Sequence, residues 1–415
     1  MKPFQRTAFA TAILSAMLLS ACGSSDSNDS TTEDEHDHET VQQFVYTDAN
    51  TTDIMNNELE GEDSETLGQA AAMDGELLLS DDGLTAALIT GSSVQFVYSG
   101  IEVHDEEEEE SEEEEEHAEP SLISAAEMSI DVDVYMTNNH YAWLDSGNTT
   151  FLPAAHLAEG EVETEEFVLE GVTQVLPALI LDEEHEMVAA FNGSNVTIYE
   201  GEEQTELDSF TCDSPEVSVQ NGGLAMVQCD GFIRYLVVEE DESTEEAEVH
   251  SGSVLDGVDV EDVQVAGTYI LAYSEDAVYL VHGHDDHADA EAQDITLESE
   301  QTICAAALDY DAEALAVVFS DATGKIIDLT GTNATSSITL TEASDTFSCE
   351  DVNLTGGEST FVMTDNSTGY MYIADSHDGA PYHIHTTTQL DAGTEVASAV
   401  LMLAKEVAEH DHEEE

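Results

Sequence analysis

Basic residues are almost missing from this chain of 415 residues, which has 5 lysines and arginines against 94 aspartates and glutamates and a formal net charge of −89. A chain with so few cations cannot neutralise phosphates, which excludes nucleic acid as a partner. Because so many carboxylates repel one another in a compact state unless counterions are abundant, we expect adaptation to a salty exterior. A surface that concentrates divalent cations is compatible with the same charge.

Long apolar runs are also missing, apart from residues 8–19 near the N-terminus. A basic start precedes this run and a lipoprotein cleavage box, LSAC, ends it, which predicts a signal peptide over residues 1–21 and a lipid on Cys22. A plain cleaved secretory peptide is the alternative. No later segment has the roughly 20 apolar residues that a membrane span requires. With Gly23 after the cysteine, we expect a lipoprotein on the periplasmic side of the outer membrane, attached to the membrane through its lipid alone.

Cysteine is scarce as well, with five in the whole chain. Once Cys22 is acylated, an even number remains in an oxidising compartment, which predicts two disulfides. Cys212 and Cys229 are one hairpin apart and should pair, which leaves Cys304 for Cys349. A zinc–thiolate site is the alternative, but the sequence has no C-x-x-C pair to support it.

What the chain does contain is a repeat of short β-rich stretches, each broken by a Gly, Asp or Asn turn. Units of this kind are the signature of a β-propeller. We therefore predict an all-β fold with eight blades, or seven as the alternative, because the first and last units are incomplete. Residues 394–403 should complete the blade begun by residues 44–48. The repeated stretches are residues 43–50, 88–98, 141–152, 187–199, 224–238, 269–281, 315–329 and 360–374.

The segments outside the repeat are rich in acidic residues. Residues 22–42 are predicted to be a disordered leash with histidines, because they have too little apolar content to bury. The glutamate run at 106–116 is expected to be a solvated loop. The predicted organisation is then a propeller over residues 43–406 and an acidic tail with two histidines over residues 407–415.

Histidines occur mostly in or beside these acidic stretches rather than evenly along the chain. Imidazole and carboxylate suit zinc, and two histidines in an H-x-H pair on an extended chain point to one side. Loosely held clusters exchange ions quickly, which favours capture and handover over catalysis. The alternative is that these histidines are incidental residues of solvated loops. The clusters are His36 with His38, His104 with His117, His282 with His284 and His287, His383 with His385 after His377, and His410 with His412.

A second candidate site follows from the propeller itself, since the start of each innermost strand lies near the central channel. Five carboxylates converging there cannot all stay ionised without a cation or protons. Asp133, Glu216 and Asp351 are the predicted metal ligands among them. The alternative is that these residues are ordinary charges on the rim. The positions are Gln69, Asp133, Gln174, Glu216, Asp262, Asp351 and Glu395, with Cys304 in the remaining blade.

Motifs for catalysis are missing: the sequence has no G-x-S-x-G, no H-E-x-x-H and no phosphate loop. We therefore do not expect an enzyme. A lyase or lactonase with a calcium ion in the channel is a weaker alternative, and it would need an intact ring of channel carboxylates.

Residues 212–238, which include both cysteines of the first predicted disulfide, resemble the periplasmic zinc metallochaperones of the AztD family. Members of that family are β-propellers with a C…GC-DG-type hairpin. The SGIEVH segment that ends at His104, with the loop up to His117, resembles the T-G-I segment and metal-binding loop of the family. His36 and His38 resemble its N-terminal metal-binding stretch.

The chain departs from this family near the channel. The family has histidines on inner strands, and the corresponding positions here are Asp133, Gln174, Glu216 and Asp351. Carboxylates in place of imidazoles should weaken zinc binding or favour a harder ion. The resemblance therefore implies zinc or another divalent cation, and an importer's solute-binding protein as the recipient. The alternative is an acidic propeller that serves as a scaffold for protein–protein interaction at the outer membrane.

Overall fold

The computed structural model describes most of the predicted propeller, and the predicted signal peptide, leash and tail lie outside it. The described residues are 42–59, 64–73, 75–80, 82–99, 121–130, 134–137, 139–145, 148–158, 164–167, 176–182, 187–200, 205–213, 215–221, 224–229, 232–241, 246–255, 257–258, 260, 262–266, 269–284, 287–295, 297, 301–310, 312–330, 335–343, 346–376 and 381–403. Within these ranges, no helix is long and apolar enough to cross a membrane.

The described chain consists almost entirely of strands. They are β1 (Gln42–Asp48), β2 (Asp53–Glu58), β3 (Ser64–Gln69), β4 (Glu76–Leu79), β5 (Thr85–Thr90), β6 (Ser93–Tyr98), β7 (Ser121–Ser129), β8 (Tyr135–Thr137), β9 (His140–Asp145), β10 (Asn148–Pro153), β11 (Glu165–Phe167), β12 (Leu176–Asp182), β13 (Met187–Asn192), β14 (Asn195–Glu200), β15 (Thr205–Thr211), β16 (Glu216–Asn221), β17 (Leu224–Cys229), β18 (Phe232–Asp241), β19 (Glu246–Val254), β20 (Asp262–Ala266), β21 (Tyr269–Tyr273), β22 (Val278–His284), β23 (His287–Ile295), β24 (Ile303–Leu308), β25 (Ala314–Phe319), β26 (Thr323–Asp328), β27 (Ser336–Thr339), β28 (Val352–Gly356), β29 (Thr360–Asp365), β30 (Tyr370–Asp375), β31 (His383–Gln389) and β32 (Val396–Leu403). A short helix α1 (Ala154–Ala158) and a 3₁₀ turn η1 (Cys349–Asp351) complete the described elements.

These strands form eight antiparallel sheets of four strands, which confirms the eight-bladed propeller. Seven sheets take their strands in chain order, from β4-β5-β6-β7 to β28-β29-β30-β31, and the closing blade has the order β3-β2-β1-β32. The first strands of the other seven sheets and β32 contact one another around the ring. They are therefore the inner strands that surround the central channel.

Burial along the strands follows from this arrangement. The second strands β25 and β29 are buried at every position, because neighbouring blades cover both of their faces. The outer strand β31 instead alternates between exposed and half-buried residues. The core therefore lies between blades: Leu271 of one blade packs in the same cluster as Ile303 and Leu315 of the next.

Closure of the ring joins the two ends of the described chain. β1 pairs with β32 from Gln42 opposite Leu403 to Asp48 opposite Val396, which confirms the predicted closing strand. Asn366, in the turn between β29 and β30, holds β32 from the neighbouring blade. Its Oδ1 accepts a hydrogen bond from the Val396 amide at 2.8 Å, and its Nδ2 donates to the Val396 carbonyl at 2.7 Å.

Both predicted disulfides are present, Cys212–Cys229 and Cys304–Cys349. The first spans the β16–β17 hairpin, as the spacing of its cysteines indicated. Cys212 follows β15 of one blade and Cys229 ends β17 of the next, so the bond joins two blades. Cys304 in β24 and Cys349 before β28 likewise join neighbouring blades.

The strand order gives the propeller two different faces. One face is where the inner strands begin, and it holds the crossings from outer strands to the next blade and the turns from second to third strands. Both disulfides lie at this face, which we name the cystine face. The opposite face holds the turns from inner to second strands and the connections from third to fourth strands, and we name it the loop face. A contact between neighbouring blades is consistent with this assignment of the faces. Asn139 Nδ2 donates to Asp82 Oδ2 at 3.3 Å, and both residues lie in loop-face turns.

We predict that Asn366→Ala lowers the free energy of unfolding by about 1–3 kcal/mol, because the Val396 amide loses its acceptor and the Val396 carbonyl keeps only the Asn353 side chain as a donor. Asn50→Ala is the matched control, since Asn50 lies in the corresponding turn of the closing blade and its side chain is exposed. The control should change stability by less than about 0.5 kcal/mol. Urea unfolding at high salt measures both, and equal losses would contradict the role of Asn366 in closure.

We also predict that the two disulfides stabilise the fold unequally. The bonds close loops with sequence separations of 17 and 45 residues, and loop entropy then gives about 3 kcal/mol for Cys212–Cys229 and about 4 kcal/mol for Cys304–Cys349. Urea unfolding of the two double serine variants measures these losses. A larger loss for the shorter loop would argue against an entropic origin, and a different pairing in non-reducing peptide maps would argue against the blade boundaries.

Candidate metal-binding face

The described strand ends nearest to the five predicted histidine clusters all lie at the loop face. The strand ends that flank them pair there, Tyr98 with Ser121, His284 with His287, Asp375 with His383, and Gln42 with Leu403. The first pair flanks the segment of His104 and His117, and the last pair marks where the leash and the tail join the ring. His36, His38, His104, His117 and Cys22 lie outside the described residues, so their roles stay predictions.

The remaining histidines extend this one-sided distribution. His140 begins β9 and His156 lies in α1, both at the loop face. Of the eight histidines that the structure describes, seven lie in a loop-face connection or within three residues of a strand end at that face. The exception is His250, in the middle of β19. Within the described part of the chain, histidine is therefore concentrated at the loop face.

The predicted channel positions lie at the opposite, cystine face. Glu216 and Asp262 are the first residues of β16 and β20, and Asp351 and Glu395 directly precede β28 and β32. Their predicted place in the fold is correct, whereas their role as ligands stays a prediction. Asp133 and Gln174 lie outside the described residues.

One of the predicted channel positions does not lie at the channel. Gln69 ends the outer strand β3, and its Nε2 donates to Asp53 Oδ1 at 3.2 Å. Glu395 lies where the sequence predicted, but its Oε2 accepts a hydrogen bond from Asn50 Nδ2 at 3.3 Å, within the exposed turn of the closing blade. Among the residues whose side chains are described, no three histidine, cysteine, aspartate or glutamate side chains are grouped so as to hold a metal ion.

Two predicted metal-binding histidines have described side chains, His383 and His385 at the loop-face end of β31. Both are exposed, and their ring centroids are 6.1 Å apart with an angle of 41° between the planes. His385 Nδ1 lies 2.7 Å from Asp375 Oδ2, at the end of the paired strand β30. His383 Nδ1 lies 3.2 Å from the Pro381 carbonyl oxygen. Each imidazole is thus held through Nδ1.

Tyr382, which directly precedes His383, holds this end of β31 in place. The Tyr382 hydroxyl donates to Asp309 Oδ2 at 3.4 Å, and its ring packs on Phe361 with centroids 5.6 Å apart. Burial, and then the charge of Asp309, raise the pKa of Tyr382, which keeps the hydroxyl a donor. The start of β31 is therefore bound to the neighbouring blade as well as to β30.

The hairpin of His282, His284 and His287 is described through its backbone. The register places His284 directly opposite His287 and His282 opposite Glu291. These positions confirm that the three histidines lie at one hairpin end, as their spacing indicated. Sequence reasoning missed Asp375, since no pattern in the chain shows that this residue lies opposite His383.

Two known structures of AztD share this architecture. Apo AztD from Citrobacter koseri matches with a TM-score of 0.58 and 14% identity, over 89% of this chain and 100% of that chain. A second structure of Citrobacter koseri AztD has the same TM-score and coverage at 13% identity. Kluyveromyces lactis Hsv2 matches with a TM-score of 0.43 and 10% identity over 76% of this chain and 99% of that chain.

These likenesses bear on the fold. The match with AztD confirms the predicted resemblance at the level of an eight-bladed β-propeller, and at this identity it establishes the fold alone. No family profile and no sequence of a characterised protein matches the chain.

Proposed function

We propose that this protein binds zinc or a similar divalent ion at its loop face and passes the ion to a partner protein, as a lipid-anchored periplasmic metallochaperone does. The observation that carries the proposal is that seven of the eight histidines that the structure describes lie at that face. Scattered, incidental histidines would occur at both ends of the blades.

The chemistry of this face suits capture and release of a metal ion. Neutral imidazoles are good ligands for zinc, and the surrounding carboxylates raise the local concentration of cations. Because the ligands lie on many separate connections, several weak sites can be occupied at once and exchange with one another. The recipient that we propose is the solute-binding protein of a metal importer, as the resemblance to the AztD family implies.

The orientation of the chain supports this role. Gln42, where the described chain begins, lies at the loop face opposite Leu403. A lipid on Cys22 would therefore attach through the leash to the histidine-bearing side of the propeller. The predicted carboxylate site at the cystine face would be a second site, separated from the first by the length of an inner strand.

We predict that the mature protein binds more than one equivalent of zinc in equilibrium dialysis at high salt, and that binding weakens at least tenfold between pH 7.5 and 5.5. Imidazole has a reference pKa of about 6.5 and stops being a ligand once protonated. Hydrogen exchange should slow on zinc addition in loop-face peptides, with cystine-face turns as the internal control. A stoichiometry near zero would favour the scaffold alternative, and protection confined to the cystine face would contradict the proposed location.

We further predict that one substitution distinguishes zinc binding at the cystine face from zinc binding at the loop face. If the channel carboxylates form a second site, Glu216→Ala weakens a class of binding that depends little on pH, because it removes one carboxylate ligand. The pH-dependent class at the loop face should stay within about twofold of wild type. The matched control is Glu165→Ala, which removes the same charge from the outer strand β11, where the side chain is exposed. Equal effects of the two variants would remove the channel site.

Deletion of residues 23–40 tests the leash separately. We expect zinc delivery to the partner to slow while equilibrium affinity stays nearly unchanged, because the histidines attached to the ring remain. A large loss of affinity would instead place the main site on the leash.

A further inference from the structure

We propose that His383 and His385 form a preformed zinc site on β31, with the Nε2 atoms as ligands and Asp375 as a positioning residue. The inference rests on the proposed function and assigns one of its sites to particular atoms. It begins from a hydrogen-bonding pattern that the two imidazoles share.

Each imidazole makes its Nδ1 contact with a group that can only accept hydrogen bonds. The partner of His385 Nδ1 is the Asp375 carboxylate at 2.7 Å, and the partner of His383 Nδ1 is a backbone carbonyl at 3.2 Å. In a neutral imidazole, the proton must then be on Nδ1 and the lone pair on Nε2. Metal-binding histidines usually show this arrangement, with a carboxylate or carbonyl that fixes the ring and raises its basicity.

The spacing of the rings suits a shared ion. Zn–N bonds of about 2.0–2.1 Å place two imidazole centroids about 5 Å apart across a tetrahedral zinc. The observed separation is 6.1 Å, which is close enough to this value for the two imidazoles to share one ion. His385 has an exposed fraction of 53%, which leaves room for water or a partner's ligand in the other coordination positions.

The backbone holds the pair in place. β30 and β31 are paired from Asp375 opposite His383, and a β-bulge between Ile373 and Ala374 leaves His385 as the extra residue of β31. Bulges re-aim side chains, and they are common beside functional sites. With Tyr382 bound to the neighbouring blade, this site stands on rigid elements.

The strand itself favours zinc over the hard cations that so acidic a protein attracts. β31 has the sequence HIHTTTQ and contains no carboxylate. The outer strands β23 and β15 of other blades contain three and two carboxylates. Two imidazoles select zinc, copper or nickel, while magnesium and calcium require oxygen ligands. The site can therefore take up zinc while the rest of the surface holds other divalent ions.

The test compares zinc binding to the full mature protein and to variants, by dialysis with magnesium and calcium in large excess. We expect His383→Ala and His385→Ala each to lose one equivalent of zinc. Thr387→Ala, at an exposed position of the same strand, is the matched control and should keep wild-type stoichiometry. Unchanged thermal unfolding of the apo-proteins shows that the variants are folded.

The role of Asp375 has its own readout. Asp375→Ala should weaken the site by about 10–100-fold and move the His385 proton from Nδ1 to Nε2, which ¹⁵N NMR of the apo-protein detects. Asp375→Asn should restore the Nδ1 tautomer and part of the affinity, because an amide oxygen also accepts. Weaker binding with an unchanged tautomer would overturn the positioning role.

The possible failures are distinct. If wild type binds zinc but both histidine variants keep full stoichiometry, this site is overturned and the proposed function stands. Displacement of the zinc of this site by magnesium or calcium would overturn its selectivity. Wild type that binds no zinc at all would overturn both proposals.

Discussion

The backbone hydrogen bonds between β1 and β32 join the first and last strands of the chain into one blade. A ring of sheets has no free end only if this pairing forms, and each interblade core then has a blade on either side. The strand order within each blade fixes which connections lie at which face. The pairing of β1 with β32 gives the closing blade the same arrangement, with Gln42 and Leu403 at the loop face.

The large negative charge constrains how the fold treats its ionisable groups. Asp365 is fully buried, yet its Oδ1 accepts hydrogen bonds from the amide and hydroxyl of Ser367, so the carboxylate is satisfied within its own turn. Arg234 instead lies 4.7 Å over the ring of Phe210 and bonds to serine hydroxyls. Lys325 donates to the Leu297 carbonyl. With so few cations in the chain, neutralisation of the surface carboxylates falls largely to ions from solution.

The sequence was informative wherever a local pattern decides the structure. Alternating strands and tight turns predicted eight blades, and the even number of cysteines predicted both disulfides. It failed where the answer depends on which blade a residue belongs to: Gln69 was assigned to an inner strand but ends an outer strand. Asp375 escaped notice because its position beside His385 depends on the hairpin register and a bulge, which a list of histidine spacings does not contain.

The adjacency of Gln42 and Leu403 has a practical consequence for handling the protein. Any tag, fused domain or surface attachment added at either terminus joins the ring at the loop face, beside the Glu358 carbonyl that Gln42 binds at 2.9 Å. Immobilisation through a terminus would turn the histidine side towards the support and present the cystine side to the solution. A sensor or affinity matrix built from this propeller is better attached through the turns at the cystine face, such as the one at Gly193 between β13 and β14.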